Sequence, residues 1–168
     1  MNRRAQDLAA RIEQGADALA NFTEGLSDAQ WRTPVPPDGR TVGVIIHHVA
    51  SVYPIEVQLA QTLARGDAIQ GVTWNGIADM NAKHATDHST ANRQETVELL
   101  RRNSKAAAQA VRALTDDELD RAAPVSLYSE APLTAQFFIE DHALRHSFHH
   151  LAKIRSALGV GTEAKTRA

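Results

Sequence analysis

Apolar residues recur every three or four positions through several long segments of this chain, and this spacing limits the possible fold more than any other feature. One side of a helix from about residue 3 to residue 26 carries Leu8, Ile12, Ala16 and Leu19. The β-branched residues never run in alternating strings, the pattern that half-buried strands show. The sequence therefore predicts an all-α protein.

Further helices are predicted at about 41–65, at 74–85, from Ser89 or Thr90 to about residue 114, and at 134–158. Pro54 lies inside the second of the long helices and should bend or divide it. Segments 33–39 and 124–132 contain prolines and are predicted as loops.

Gly159 is predicted to end the last helix as its C-terminal cap. We therefore expect one helical domain over residues 1–159, followed by a polar tail over residues 160–168.

Two short motifs divide the chain into similar halves. Ser27-Asp28-Ala29-Gln30 and Thr115-Asp116-Asp117-Glu118 both have the form of a capping box that opens a short helix. Each motif follows a long helix and precedes a proline-containing loop and then a histidine-bearing helix. This order predicts two helical hairpins packed as a four-helix bundle, with short extra helices in the connections.

The composition excludes several classes of function. The chain has no cysteine, so it contains no disulfide, no thiolate nucleophile and no thiolate metal ligand. A formal net charge of −2 gives no reason to expect nucleic acid or an anionic membrane as a partner. No segment is expected to reach the roughly 18 apolar residues that span a bilayer, and no apolar signal core follows Met1, so the cytoplasm is the expected location.

The histidines are the candidate functional residues. His142, His146, His149 and His150 fall within about 100° of arc on the last helix. His146 and His150 lie four residues apart and can offer two imidazoles to one metal ion, and so can His142 and His146. A third imidazole from another helix would leave a position open for water or substrate.

His47 and His48 interrupt the apolar run from Val44 to Ala50, so at least one of them should be buried. A buried histidine can be a hydrogen-bonded core residue instead of a ligand, and the C-terminal cluster can be a solvated polar face. The residues by themselves leave these interpretations open beside metal binding.

The order of several motifs resembles the DinB-like superfamily, which includes stress-inducible DinB proteins, thiol-dependent maleylpyruvate isomerases, and bacillithiol or mycothiol transferases. The resemblance spans nearly the whole chain. It rests on Trp31-Arg32-Thr33-Pro34 with the Pro-Asp-Gly loop, on the stretch from Thr41 to Ala50, on Asn81-Ala82-Lys83-His84, and on the stretch from His146 to Ile154.

The resemblance implies a four-helix bundle of DinB-like type with a divalent metal, Zn²⁺ or Ni²⁺, held by His48, His146 and His150. His47 points about 100° away from His48 and is expected to be a core residue or a support for a ligand. His142 and His149 could orient the ligands. His84 and His149 are the candidates for proton transfer.

The expected activity is that of an enzyme whose metal activates water or a low-molecular-weight thiol, such as mycothiol or bacillithiol, toward a small-molecule substrate. It would then be a hydrolase or a thiol S-transferase. One alternative is a non-catalytic metal-binding or stress-response module that forms a homodimer through an apolar helix face. Another is a helical interaction domain whose histidines bind nothing.

Several other residues carry two interpretations each. Trp74, Asn75 and Asn81 either touch substrate or pack locally. Tyr53 either orients a substrate or packs against its neighbours. Glu140 and Asp141 either accept hydrogen bonds from the metal ligands or lie on the exposed side of the helix.

Overall fold

A computed structural model describes residues 2–160 of the chain, so residues 161–168 of the predicted polar tail lie outside the described part. The elements in chain order are α1 (Arg3–Glu24), α2 (Asp28–Trp31), α3 (Val42–Ala64), α4 (Trp74–Asp87), α5 (Arg93–Arg112), α6 (Asp116–Asp120), β1 (Ala122–Val125), β2 (Ala131–Thr134), α7 (Ala135–Ile139) and α8 (Arg145–Ala157). A 3₁₀ turn (Ser126–Tyr128) joins the strands, and a π-helical turn (Glu140–Leu144) joins α7 to α8.

The long helices form the predicted four-helix bundle. Helices α1 and α3 each pack against α5 on one side, and against the last helix, made of α7, the π-turn and α8, on the other. Their apolar faces enclose a hydrophobic core that includes Leu8, Ile12, Tyr53, Leu100 and Ile154, all fully buried. Both predicted capping boxes are present and open α2 and α6.

The predicted cap of the third long helix was wrong. Helix α5 is capped by Asn92, whose side chain accepts from the backbone N–H of Glu95 at 3.1 Å, and begins later than the Ser89 or Thr90 cap predicted. Of the two effects predicted for Pro54, division of the helix does not occur, because α3 continues from Val42 to Ala64. A proline can stay inside a helix where the freed carbonyl is satisfied elsewhere.

The predicted loop at 124–132 instead contains parts of an antiparallel hairpin of β1 and β2, in which Pro124 lies opposite Pro132. Strands of four residues are too short to show a clear alternating pattern, and a two-stranded sheet has only edge strands, where proline is tolerated. A parallel bridge from Ile69 to Val125 attaches the hairpin to the chain that follows α3.

Helix α3 is long and apolar enough to span a membrane by length and composition, contrary to the sequence expectation that no segment reaches this limit. Its most apolar 18-residue window is 67% buried inside the protein. The apolar character of α3 is explained by its position, because it packs against α5 and the last helix within the bundle.

Gly43 allows the indole of Trp31 to lie directly on the first turn of α3. A Cβ at residue 43 would lie 2.5 Å from Trp31 Cε2, closer than atoms can approach. The indole is also held by a hydrogen bond, because Trp31 Nε1 donates to the backbone carbonyl of Ala91 at 3.1 Å. Gly43 thus permits the contact that joins α2 to α3 and to the start of α5.

We expect Gly43→Ala to lower the free energy of unfolding by about 1–3 kcal/mol, because the added methyl group overpacks a site that cannot expand. The matched control is Gly25→Ala. Gly25 has helical backbone angles, and the nearest atom to its added Cβ would be 3.6 Å away. Urea denaturation of both variants tests this, and equal stabilities would show that Trp31 can move freely.

Candidate metal centre

Three histidines from two helices meet inside the bundle. His48 lies on the second turn of α3, which Thr41 starts by accepting a hydrogen bond from the N–H of Val44 at 3.3 Å. His146 and His150 lie one turn apart on α8. His48 and His150 are only 6% and 8% exposed, and His146 is partly buried.

The spacing of the three rings suits a single cation. The ring centroid of His48 lies 5.1 Å from that of His146 and 5.7 Å from that of His150. The centroids of His146 and His150 are 4.8 Å apart. One nitrogen from each ring can be chosen so that all three lie within 4.8 Å of one another. Nitrogens about 2.0–2.1 Å from a zinc ion lie roughly 3–3.5 Å apart, so small side-chain movements would complete the site.

The chemistry of these residues fits a transition metal. His150 Nδ1 is buried and has no hydrogen-bond partner among the described residues. A buried polar atom without a partner is costly, and coordination at this ring would be consistent with its placement. Ligand sets made only of imidazoles suit zinc, nickel and similar ions better than magnesium or calcium, which prefer oxygen.

Burial keeps two of these imidazoles neutral, as metal ligation requires. Burial, and then repulsion from His146, lowers the pKa of His48 to about 3. The same two causes, in the same order, lower the pKa of His150 to about 2. Both rings therefore carry a free lone pair at neutral pH.

Glu56 orients one of the candidate ligands. Its Oε1 lies 2.5 Å from Nδ1 of His146, and the carboxylate is itself buried. A carboxylate only accepts hydrogen bonds, so the Nδ1 of His146 must donate, which leaves Nε2 with its lone pair. Glu56 was not predicted from the sequence, although a carboxylate between Ile55 and Val57 in an apolar helix indicates a buried partner.

The other residues of the C-terminal cluster have different surroundings. His142 stacks on Phe138 at 4.1 Å between ring centroids, and its Nε2 lies 3.1 Å from the hydroxyl of Tyr128. It is not part of either group of three metal-compatible side chains found among residues 2–160. His149 is exposed and lies at the mouth of the cavity described below.

The π-turn explains why His142 differs from His146 and His150. A π-turn has i→i+5 hydrogen bonds, so it has more residues per turn and rotates less per residue than the uniform 100° of an α-helix. The turn covers residues 140–144, and therefore changes the phase of His142 relative to α8. The regular helix assumed from the sequence overstates how closely His142 aligns with the other histidines.

The two neighbouring carboxylates also lie apart from the three-histidine site. Asp141 accepts from the Tyr128 hydroxyl at 2.5 Å and pairs with Arg145. Glu140 pairs with Arg11 of α1 at 3.1 Å. Neither carboxylate forms a hydrogen bond with His48, His146 or His150 in the described part of the chain, and Glu56 occupies that position instead.

A second histidine group lies beside the first. His47, His84 and His88 can also bring one nitrogen each within 4.8 Å of the others. His47 Nδ1 lies 2.9 Å from His84 Nε2, so His47 is a partner of α4 and not an apolar core residue. His88 was not identified from the sequence, although His84 and His88 have the same four-residue spacing as His146 and His150.

The first group opens into a cavity of about 550 Å³. Its walls are mostly apolar, with Ile55, Trp74 and Met80 exposed at the rim. Arg40 also lines the cavity, and its buried Nη1 has no partner among the described residues.

Two of the other predicted pocket residues line this cavity and the others do not. Trp74 and Asn81 line it, whereas Asn75 is exposed elsewhere and His84 lies behind His48 with 5.6 Å between ring centroids. Tyr53 is fully buried and its hydroxyl lies 2.6 Å from Ser147 Oγ, so it packs in the core away from substrate.

Comparisons with known proteins agree with the fold. The family model described as "DinB superfamily" matches residues 11–154. YfiT from Bacillus subtilis, described as "a probable metal-dependent hydrolase with an unusual four-helix bundle topology", superposes with a TM-score of 0.72 at 20% identity, over 96% of this chain and 91% of its own.

The mycothiol-dependent maleylpyruvate isomerase superposes with a TM-score of 0.68 at 14% identity, over 89% of this chain and 60% of its own. This chain thus spans less than two thirds of the isomerase. No curated protein matches the chain significantly. At these identities the likeness of both structures concerns the fold, and the match of the family confirms the resemblance inferred from the motifs.

We expect Glu56→Gln to weaken Zn²⁺ binding about 10–100-fold, because the hydrogen bond from His146 Nδ1 would lose its charged acceptor. Glu140→Gln is the matched control, since Glu140 contacts Arg11 and none of the three histidines. Competition with a zinc chelator measures both affinities. Equal losses in the two variants would contradict the orienting role of Glu56.

We also expect the metal-free protein to lose stability as the pH falls from about 6.5 toward 3. Unfolded histidines bind protons below their ordinary pKa near 6.5, whereas folded His48 and His150 resist protonation, so the unfolded state binds more protons. Each histidine contributes a slope of at most about 1.4 kcal/mol per pH unit.

Urea unfolding in EDTA at several pH values measures this dependence. His150→Asn should make it shallower, and His149→Asn should change it less, because His149 is exposed. An identical slope in the wild-type and His150→Asn proteins would show that His150 is protonated in the folded state.

Proposed function

Because the chain belongs to the DinB superfamily, we propose that it is a metal-dependent enzyme acting on a small molecule. His48, His146 and His150 would hold one divalent ion, Zn²⁺ or Ni²⁺, and the reaction would transfer a low-molecular-weight thiol to an electrophile. The observation that carries the proposal is the convergence of these three imidazoles at the wall of a mostly apolar cavity.

The bound ion would supply Lewis acidity, which lowers the pKa of a thiol or water at its open position. The three protein ligands are neutral imidazoles, so none of them would cancel the charge of the ion. Glu56 keeps the proton of His146 on Nδ1 and thereby keeps Nε2 available. The apolar walls exclude water and strengthen these electrostatic effects.

His149 is the proposed proton acceptor at the mouth of the cavity. Burial first, and then the charges of Lys153 and Arg145, lower the pKa of its imidazole. The ring is therefore largely neutral near pH 7 and can accept the proton of an arriving thiol. The sulfur would then bond to the electrophilic carbon, whose leaving group departs with the bonding electron pair.

His84 remains a sequence-based candidate for proton transfer. Its ring contacts His48 and His47 and does not line the cavity. Any proton that His84 transfers would therefore move by way of those two imidazoles and not directly to or from the substrate. The geometry favours His149 for direct proton transfer because that side chain lines the cavity.

The cavity suits a substrate or thiol with an apolar body and an anionic group. Ile55, Trp74 and Met80 supply apolar contact area. Arg40 supplies a buried guanidinium nitrogen without a partner among residues 2–160, and such a donor is well suited to a carboxylate. We propose mycothiol and bacillithiol as the first thiols to test, because one structural neighbour is described as mycothiol-dependent.

Hydrolysis is the second candidate. The same site could activate water, and the neighbour YfiT is described as a probable metal-dependent hydrolase. The cavity of about 550 Å³ has room for a small-molecule substrate in either reaction, so thiol transfer is placed first because one structural neighbour is described as mycothiol-dependent. The non-catalytic metal-binding homodimer stays the alternative from another class.

Metal-loaded protein should consume monochlorobimane faster when mycothiol or bacillithiol is present, and His48→Ala and His150→Ala should each reduce this rate at least about 100-fold. Glu140→Gln serves as the active control, because Glu140 lies outside the site. Fluorescence of the bimane conjugate follows the reaction.

A panel of activated esters run in parallel tests hydrolysis. Thiol-independent ester cleavage that disappears in His150→Ala would assign the hydrolase instead. Full metal binding with neither activity in these screens would favour the non-catalytic module.

A further inference from the structure

We propose that His47, His84 and His88 form a second site for a divalent transition metal, separate from the site of His48, His146 and His150. The proposal does not depend on the enzymatic activity proposed above. It rests on a second set of three imidazoles that the fold brings together between α3 and α4.

The three rings are closely arranged. His47 and His88 stack with 3.9 Å between ring centroids, and the His84 centroid lies 4.6 Å from that of His88. His47 Nδ1 and His84 Nε2 are 2.9 Å apart. One nitrogen from each ring lies within 4.8 Å of the others, the same limit that the first group meets.

Two adjacent elements create this arrangement. Helix α4 ends at Asp87, so His84 lies in its last turn and His88 is its C-terminal cap residue, four positions later. His47 faces them from α3, and its neighbour His48 points about 100° away toward α8. One helix turn thus supplies one ligand to each of two clusters.

Hydrogen bonds within the protein satisfy this cluster only in part. The buried Nδ1 of His84 has no partner in the part of the chain that the structure describes. His47 Nδ1 is approached by both His84 Nε2 and Ser51 Oγ, the latter at 3.2 Å, while the Ser51 hydroxyl also donates to the His47 carbonyl at 2.7 Å. A cation between His47 Nδ1 and His84 Nε2 would bind both lone pairs directly, in place of a proton shared by the two rings.

The charges around the cluster favour a cation. A cavity of about 530 Å³ opens beside His47 and His88, and its charged lining residues are Asp87, Glu95, Glu98 and Arg102. The lining therefore contains three carboxylates and one guanidinium. Asp87 is already paired with Lys83.

The two clusters are adjacent but use different ligands. The rings of His48 and His84 are in edge contact, with 5.6 Å between centroids. Two dications at adjacent sites repel each other, so we expect the ion at His47, His84 and His88 to bind more weakly than the ion at His48, His146 and His150. Separate ligand sets allow each site to be removed without mutating the other.

The test counts metal ions bound to the full-length protein. Metal-free protein is titrated with Co²⁺, whose visible absorption reports nitrogen coordination, and with Zn²⁺ by calorimetry. We expect two equivalents for the wild-type protein, one each for His88→Ala and His150→Ala, and none for the double variant. His149→Ala is the matched control and should keep two, because His149 belongs to neither cluster.

Several results would overturn the proposal. Saturation of the wild-type protein at one equivalent would do so, and so would two equivalents in His88→Ala. Loss of both equivalents in folded His88→Ala, with folding checked by circular dichroism, would show one shared site instead of two. His84→Ala provides an independent variant and should repeat the result of His88→Ala.

The same experiment separates this inference from the proposed function. His150→Ala should abolish thiol transfer while it retains the ion bound by His47, His84 and His88. A protein that binds two ions but has no activity would contradict the proposed function and leave the second site supported. A protein that is active with one ion at His48, His146 and His150 would contradict only the second site.

Discussion

The packing of α3 against α8 is the contact on which the candidate chemistry depends. It buries His48 and His150 and brings Glu56 to 2.5 Å from His146. Burial alone would make neutral imidazoles and a carboxylate costly, because each loses its hydrogen bonds to water. The Glu56–His146 hydrogen bond offsets part of this cost. At His150 the cost is not offset, because its buried Nδ1 has no hydrogen-bond partner among the described residues.

Helix α3 supplies both apolar core residues and buried polar residues of the candidate sites. Its apolar residues form much of the core, which is why it is apolar enough to resemble a membrane span. It also carries His47, His48 and Glu56 among those residues. The polar side chains are tolerated because they face histidines of α4 and α8 and the cavity, so the bundle contains a polar region bounded by apolar packing.

Much of the bundle could be predicted from local patterns. The spacing of Leu8, Ile12 and Ala16 identified α1, and the capping boxes at Ser27 and Thr115 were predicted correctly, because side-chain caps act within one helical turn. The short hairpin was missed, since β1 and β2 are held by each other and by Ile69 more than by their own residue preferences. Metal binding at His48, His146 and His150 stays a prediction that the geometry supports.

The sequence by itself determined which residues share a helix face, because the helical repeat requires only the order of residues along the chain. It therefore paired His146 with His150, and the same rule applied to residues 84 and 88 would have paired those two histidines. Tertiary structure alone decided the partners across helices: Glu56 for His146, His84 for His47, and Arg40 at the cavity wall. These contacts depend on how helices pack and on the π-turn at Glu140–Leu144, which departs from the regular repeat, and neither can be read from local spacing.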